Sequence, residues 1–230
     1  MSNISREFSN FLDGLSDKED PDRAACDLAW ALIEEKSEKP WLQACDETMN
    51  RIRFGKAPES LKANYIEVLT LLLLQVGNEK FHFRSDGGRF AKGVLVSLDA
   101  ASSMKEYQDD VYMEVGSLFY GSDMYGESVL QDVSDKTAVT NAMIGAADPG
   151  KEDQGGYSYM LHHFSENFRS GVMNADEIRL TGEEKGNLLK KIVGFQESIQ
   201  DVASFVKQGN AGELKNRTDI IADLTQLIPV

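Results

Sequence analysis

Apolar positions along this chain recur at the three- and four-residue spacing of helices, and no stretch holds the period-two alternation of a half-buried strand. A first helix is predicted from about Ile4 to Leu15, where Phe8, Phe11, Leu12 and Leu15 share one face. Asp20 and Pro21 supply a cap and a first-turn proline for a second helix that carries Ala25, Leu28, Ala29, Leu32 and Ile33. A third starts near Pro40, presents Leu42, Cys45, Met49 and Ile52, and stops before Gly55. Pro58 opens a fourth, in which Leu61, Tyr65, Ile66, Val68, Leu69 and the run Leu71 to Leu74 are apolar on nearly every side until Gly77 and Asn78. A helix apolar all round is one surrounded by others.

After a polar turn over Ser85 to Gly88, a helix is expected from Phe90 to Ala101. Ser103 and Glu106 then stand at capping-box spacing and predict another that runs to Tyr120. The stretch 121–156 is richer in Gly, Asp and Ser, with weaker helical patterns at Glu127 to Val133 and Lys136 to Ala146; a flexible or binding segment is expected there. Tyr157 to Phe168 reads as helical, and a second capping box, Thr181 with Glu184, opens the longest helix, to about Gln208. Its residues Leu188, Ile192, Phe195, Ile199, Val202 and Val206 alternate spacings of four and three, the heptad seam of packed helices. A last helix, Glu213 to Ile228, is expected to fold back on that seam. No internal repeat or low-complexity tract is evident. The expected fold is all-α: a compact multi-helix bundle of about nine to ten helices, with a C-terminal antiparallel helical hairpin and residues 1–230 in one domain.

Composition narrows the function classes. With 230 residues, 41% of them hydrophobic and 27% charged, the chain has material for a buried core without disulfides or a structural metal. A formal net charge of -14 argues against nucleic acid as partner, because phosphate neutralisation needs clustered Lys and Arg. The most apolar run, Tyr65 to Val76, contains Glu67 and is shorter than the roughly 18 residues of a membrane span. No export signal opens the chain, and Cys26 and Cys45 form no CxxC pair, so a reducing, cytoplasmic setting is expected, with delivery by a specialised secretion machine left open.

Four constellations bear on chemistry. His162 and Glu166, four apart on one helical face with His163 beside them, have the spacing for an acid-base pair or two metal ligands; the plain alternative is an i,i+4 ion pair. No third ligand is evident, and no cofactor is called for. The acidic run Glu34 to Glu38 is cut short by Pro40 and is expected to be a solvated helix end. The turn holding Arg84, Gly87, Gly88 and Arg89 precedes a helix amino terminus and has the composition of an anion cradle, or of a simple glycine turn between solvated arginines. Downstream, twelve carboxylates between Asp99 and Asp153 meet only Lys105, Lys136 and Lys151. Within that span Tyr107, Asp109, Asp110, Glu114, Tyr120, Asp123 and Tyr125, interleaved with Tyr112 and Phe119, suit a basic protein surface, since opposite charge speeds encounter and aromatic rings anchor it.

The leading expectation is therefore a non-enzymatic interaction protein: an inhibitor, immunity-type protein, adaptor or secreted bacterial effector. A second is a metal-assisted hydrolase of a small phosphorylated substrate, with His162, His163 and Glu166 at its centre and Arg84 and Arg89 as phosphate clamps. A third is a self-associating subunit joined through Leu188, Ile192, Phe195, Ile199 and Val202.

Overall fold

A computed structural model describes residues 3–21, 23–24, 27–28, 38–54, 59–74, 88–104, 106–125, 133–148, 155–206 and 211–228. Among them are nine α-helices and no strand: α1 Asn3–Asp13, α2 Glu38–Phe54, α3 Glu59–Leu74, α4 Gly88–Ser103, α5 Gln108–Tyr125, α6 Val133–Ala146, α7 Gly155–Arg169, α8 Gly182–Val206 and α9 Ala211–Thr225. Short 3-10 turns at Leu15–Asp17 and Ala175–Glu177 complete the set. The all-helical architecture is the expected one. Most of the expected second helix, the patterned stretch 127–132, Cys26, Arg84 and Gly87 lie outside the described residues, as do the side chains of Arg89, Asp123, Tyr125, Ile199 and Val202.

Burial follows the helical period within each element. Phe8, Leu12 and Leu15 are buried at the amino end; Ala44, Cys45, Met49 and Ile52 line the inner face of α2; Val111, Tyr112, Val115, Leu118 and Phe119 do so on α5. The buried residues of all nine helices belong to one continuous cluster, the main source of stability for a chain of this composition.

Several helices pack with their chain neighbours, α2 with α3, α3 with α4, α4 with α5 and α8 with α9, and, more tellingly, with the next but one. In one layer α1, α2, α4, α6 and α8 succeed each other; in the other α3, α5, α7 and α9 do the same. Three of these pairs are shown by their side-chain contacts to run parallel. Ser9 reaches Glu47 and Asp13 reaches Arg51, each 38 positions on, which sets α1 alongside α2. Tyr112 meets Tyr157 and Phe119 meets Phe164 edge to face, at 5.4 and 5.2 Å, so α5 and α7 are in register along most of their length. Asn141 reaches Glu184 and the Ala147 carbonyl reaches Lys191, 43 and 44 positions on, aligning α6 with α8. This is the connectivity of a short stack of helical hairpins, closed by the hairpin of α8 and α9. The recurrence is architectural only and no sequence repeat accompanies it.

The closest approach in the stack is between α5 and α7, and two glycines permit it. A Cβ on Gly116 would stand 2.4 Å from Tyr159 Cδ1, and one on Gly156 would stand 2.1 Å from the Asp109 carbonyl oxygen. Polar side chains tie neighbouring helices together, within a layer and across the two. Arg51 donates to Glu47 at 2.9 Å, to Asp13 at 2.5 Å and to Ser9 Oγ at 2.9 Å. The Tyr65 hydroxyl donates to the Leu12 carbonyl at 2.9 Å. Asn167 Nδ2 donates to the carbonyls of Phe119 and His163 at 3.0 and 2.7 Å, bridging α7 to α5.

Candidate interaction face

The outward face of the second layer gathers two constellations that are distant in sequence. Its first part is a groove of about 460 Å³ between α3 and α5. Asp110 and Glu114 of α5, with Tyr107 just before it, form one wall, and Ser60, Asn64 and Glu67 of α3 form the other. Three carboxylates thus share one depression. Asp110 is exposed and Tyr107, Glu114 and Glu67 are half-buried. Glu67 escapes a reading of the sequence that treats α3 as apolar all round. The signal was there: Ser60, Asn64 and Glu67 are spaced four and three, a narrow polar stripe on an otherwise apolar helix.

The second part is a run of rings in the valley between α5 and α7. His163 lies edge to face against Tyr120 at 5.0 Å, Tyr159 at 4.3 Å and His162 at 5.0 Å. Tyr120 is 47% exposed, and the other three are half-buried. The parallel register of α5 and α7 is what brings Tyr120 and His163 together; sequence alone kept the acidic-aromatic segment and the histidines as separate candidates.

Other residues from the same segment do structural work. Tyr112 and Phe119 are 3% and 0% exposed and belong to the core. The Asp109 carboxylate accepts the Tyr157 backbone N–H at 3.1 Å, where it satisfies an orphan donor and faces the positive end of the α7 dipole. Asp123 and Tyr125 lie on the last turns of α5.

Glu166 is held in an ion-pair network. It accepts from Arg169, whose other Nη donates to Asp223 at 2.9 Å and lies 3.7 Å from Asp219. Burial is the larger influence on Asp223 and pushes its carboxyl pKa up, with Arg169 opposing it. The network locks α7 to α9. Among the described residues no three His, Cys, Asp or Glu side chains converge to hold a metal ion. A further cavity of about 500 Å³, bounded by Phe168, Met173, Asn174, Thr225 and Gln226, has Asp176 as the single titratable side chain lining it among the described residues. Gly88 and Arg89 open α4, but the anion cradle they belong to lies mainly outside the described residues. Arg51 on α2 is committed to Asp13 and Glu47.

No helix among the described residues is long and apolar enough to cross a membrane. Compared with family models, curated proteins and solved structures, the chain matches none.

Proposed function

We propose that this chain is a non-enzymatic interaction protein, of the inhibitor, immunity-type, adaptor or effector kind, that holds a basic protein surface on the face formed by α3, α5 and α7. The supporting observation is the groove in which Glu67, Asp110 and Glu114 converge beside Tyr107, with the exposed Tyr120 further along the same helix α5. Carboxylates at a rim steer a basic partner and set salt sensitivity, while aromatic side chains supply the buried contact that holds it. Stacked helical hairpins are well suited to the task, because neighbouring helices of one layer present a broad surface.

The test is affinity capture from the protein's own cells at low and moderate salt, comparing the natural chain with one carrying Asp110→Lys and Glu114→Lys. Asp109 is left unchanged, since its carboxylate caps α7 and its loss would confuse stability with binding. A stoichiometric basic protein recovered at low salt, released as salt rises and absent from the reversed variant is the expected result. Recovery of the same partner by both chains would place the interface elsewhere.

A further inference from the structure

The ring cluster between α5 and α7 suggests what the partner brings to it, an inference that rests on the acidic-face reading above. Edge-to-face packing engages the edge of one ring with the face of another, so Tyr120, Tyr159 and His163 are not stacked flat upon each other. Tyr120 leaves 47% of its surface open. A large aromatic residue this exposed gives up transfer free energy in the isolated chain that a partner recovers on docking.

The helices that carry the rings are unequal in charge. Helix α5 carries Asp109, Asp110, Glu114 and Asp123 and no Lys or Arg. On α7 the one Lys or Arg is Arg169, already held by Glu166, Asp223 and Asp219. An incoming cation therefore meets rings carried on an acidic helix, with no uncommitted guanidinium or ammonium from α5 or α7 to oppose it. Among protein cations arginine fits best: its planar guanidinium stacks on a ring face and still donates in plane to carboxylates, whereas a lysine ammonium is more strongly hydrated.

We propose that the Tyr120, Tyr159 and His163 cluster is the anchor for an arginine side chain of a basic partner segment that continues into the acidic groove between α3 and α5. The groove supplies the long-range attraction and the rings supply the short-range grip.

A fluorescein-labelled nonamer of arginine, followed by anisotropy at about 50 and about 150 mM salt, tests both parts separately. Tyr120→Leu, a change at a half-exposed position, should weaken binding about two- to fivefold at either salt concentration, the range expected of one exposed cation-π contact. Tyr120→Phe keeps the ring and should bind like the natural chain. Asp110→Asn with Glu114→Gln should instead flatten the salt dependence. If Tyr120→Leu binds as tightly as the natural chain, or Tyr120→Phe falls as far as Tyr120→Leu, the arginine anchor is wrong while the acidic groove stands. If the natural chain does not bind the nonamer even at the lower salt, the acidic-face reading fails and the anchor fails with it.

Discussion

Gly116 and Gly156 decide how closely α5 and α7 approach, and their substitution is expected to be felt differently from that of an open glycine. A methyl group at Gly156 would meet the backbone oxygen of Asp109 at 2.1 Å, an atom that cannot swing aside. Gly156→Ala should cost about 3 kcal/mol, the upper range for overpacking, and should loosen the Asp109 cap on Tyr157 as well. At Gly116 the nearest atom belongs to the Tyr159 ring, 2.4 Å away, with the Met160 Cα at 3.0 Å. Part of that clash is relieved by ring movement, so about 1–2 kcal/mol is expected. Gly145 in α6 has nothing within 4 Å of its would-be Cβ, and Gly145→Ala should stabilise by roughly 0.5 kcal/mol through helix propensity and unfolded-state entropy. Urea midpoints of the three variants check the order. A second residue-scale prediction concerns pH. The hydrogen bond from Arg51 holds the Asp13 carboxyl below its ordinary value, so its contribution is present above the unfolded carboxylate pKa and is lost as pH falls through the lowered folded value. The Asp13 side chain is 64% exposed, so Asp13→Asn should cost only about 0.5 kcal/mol at neutral pH. Its urea midpoint should converge on that of the natural chain in acid, because the natural carboxyl is then protonated too.

At the scale of elements, the two capping-box patterns show what local sequence can and cannot specify. At α8 the pattern is realised in both directions: the Thr181 N–H donates to Glu184 Oε2 at 2.6 Å, and the Glu184 N–H donates to Thr181 Oγ1 at 3.3 Å. Thr181→Ala should accordingly lower stability by about 1 kcal/mol, measurable by urea unfolding. The same spacing at Ser103 and Glu106 does not cap α5. Ser103 is the last residue of α4 and its hydroxyl donates back to the Ala100 carbonyl at 2.8 Å, while the Glu106 N–H turns to Glu59 Oε1 at 3.4 Å. The alanines at 100 and 101 favour one more turn of α4, and a serine at a helix end satisfies its hydroxyl on the preceding turn as readily as it caps the next helix. Helix α5 then begins at Gln108. Helices were legible because their period and their stops are local. The partnering of α5 with α7 was not, since Tyr112 and Tyr157, or Phe119 and Phe164, match in position within their helices while the residues around them differ. The site was legible by half for the same reason: Tyr107, Asp110, Glu114 and Tyr120 declare themselves by composition, but Glu67 and Tyr159 join them only through packing between helices.

At the scale of the whole molecule, a stack in which each helix leans on its neighbours should not loosen everywhere at once. The centre is the α5 and α7 pair, joined by edge-to-face rings, the Asp109 cap and the Asn167 bridge. The end is the hairpin of α8 and α9, where Leu189 and Val193 remain 46% and 50% exposed although Leu188, Ile192 and Phe195 are buried within the chain. Burial of these three makes that half of the heptad seam part of the monomer's own core, so weakening it is expected to act first on folding. Ile192→Ala removes a side chain that is 5% exposed and should cost about 2–4 kcal/mol. Amide hydrogen exchange resolves where that loss is felt. If the stack is coupled mainly between neighbours, exchange in Ile192→Ala rises in α8 and α9, and to a lesser degree in α6 and α7, while α5 and α3 keep the protection of the natural chain. A uniform rise across all nine helices would mean that the continuous core couples them into one cooperative unit, and the hairpin stack would then describe the connectivity of this protein and not its energetics.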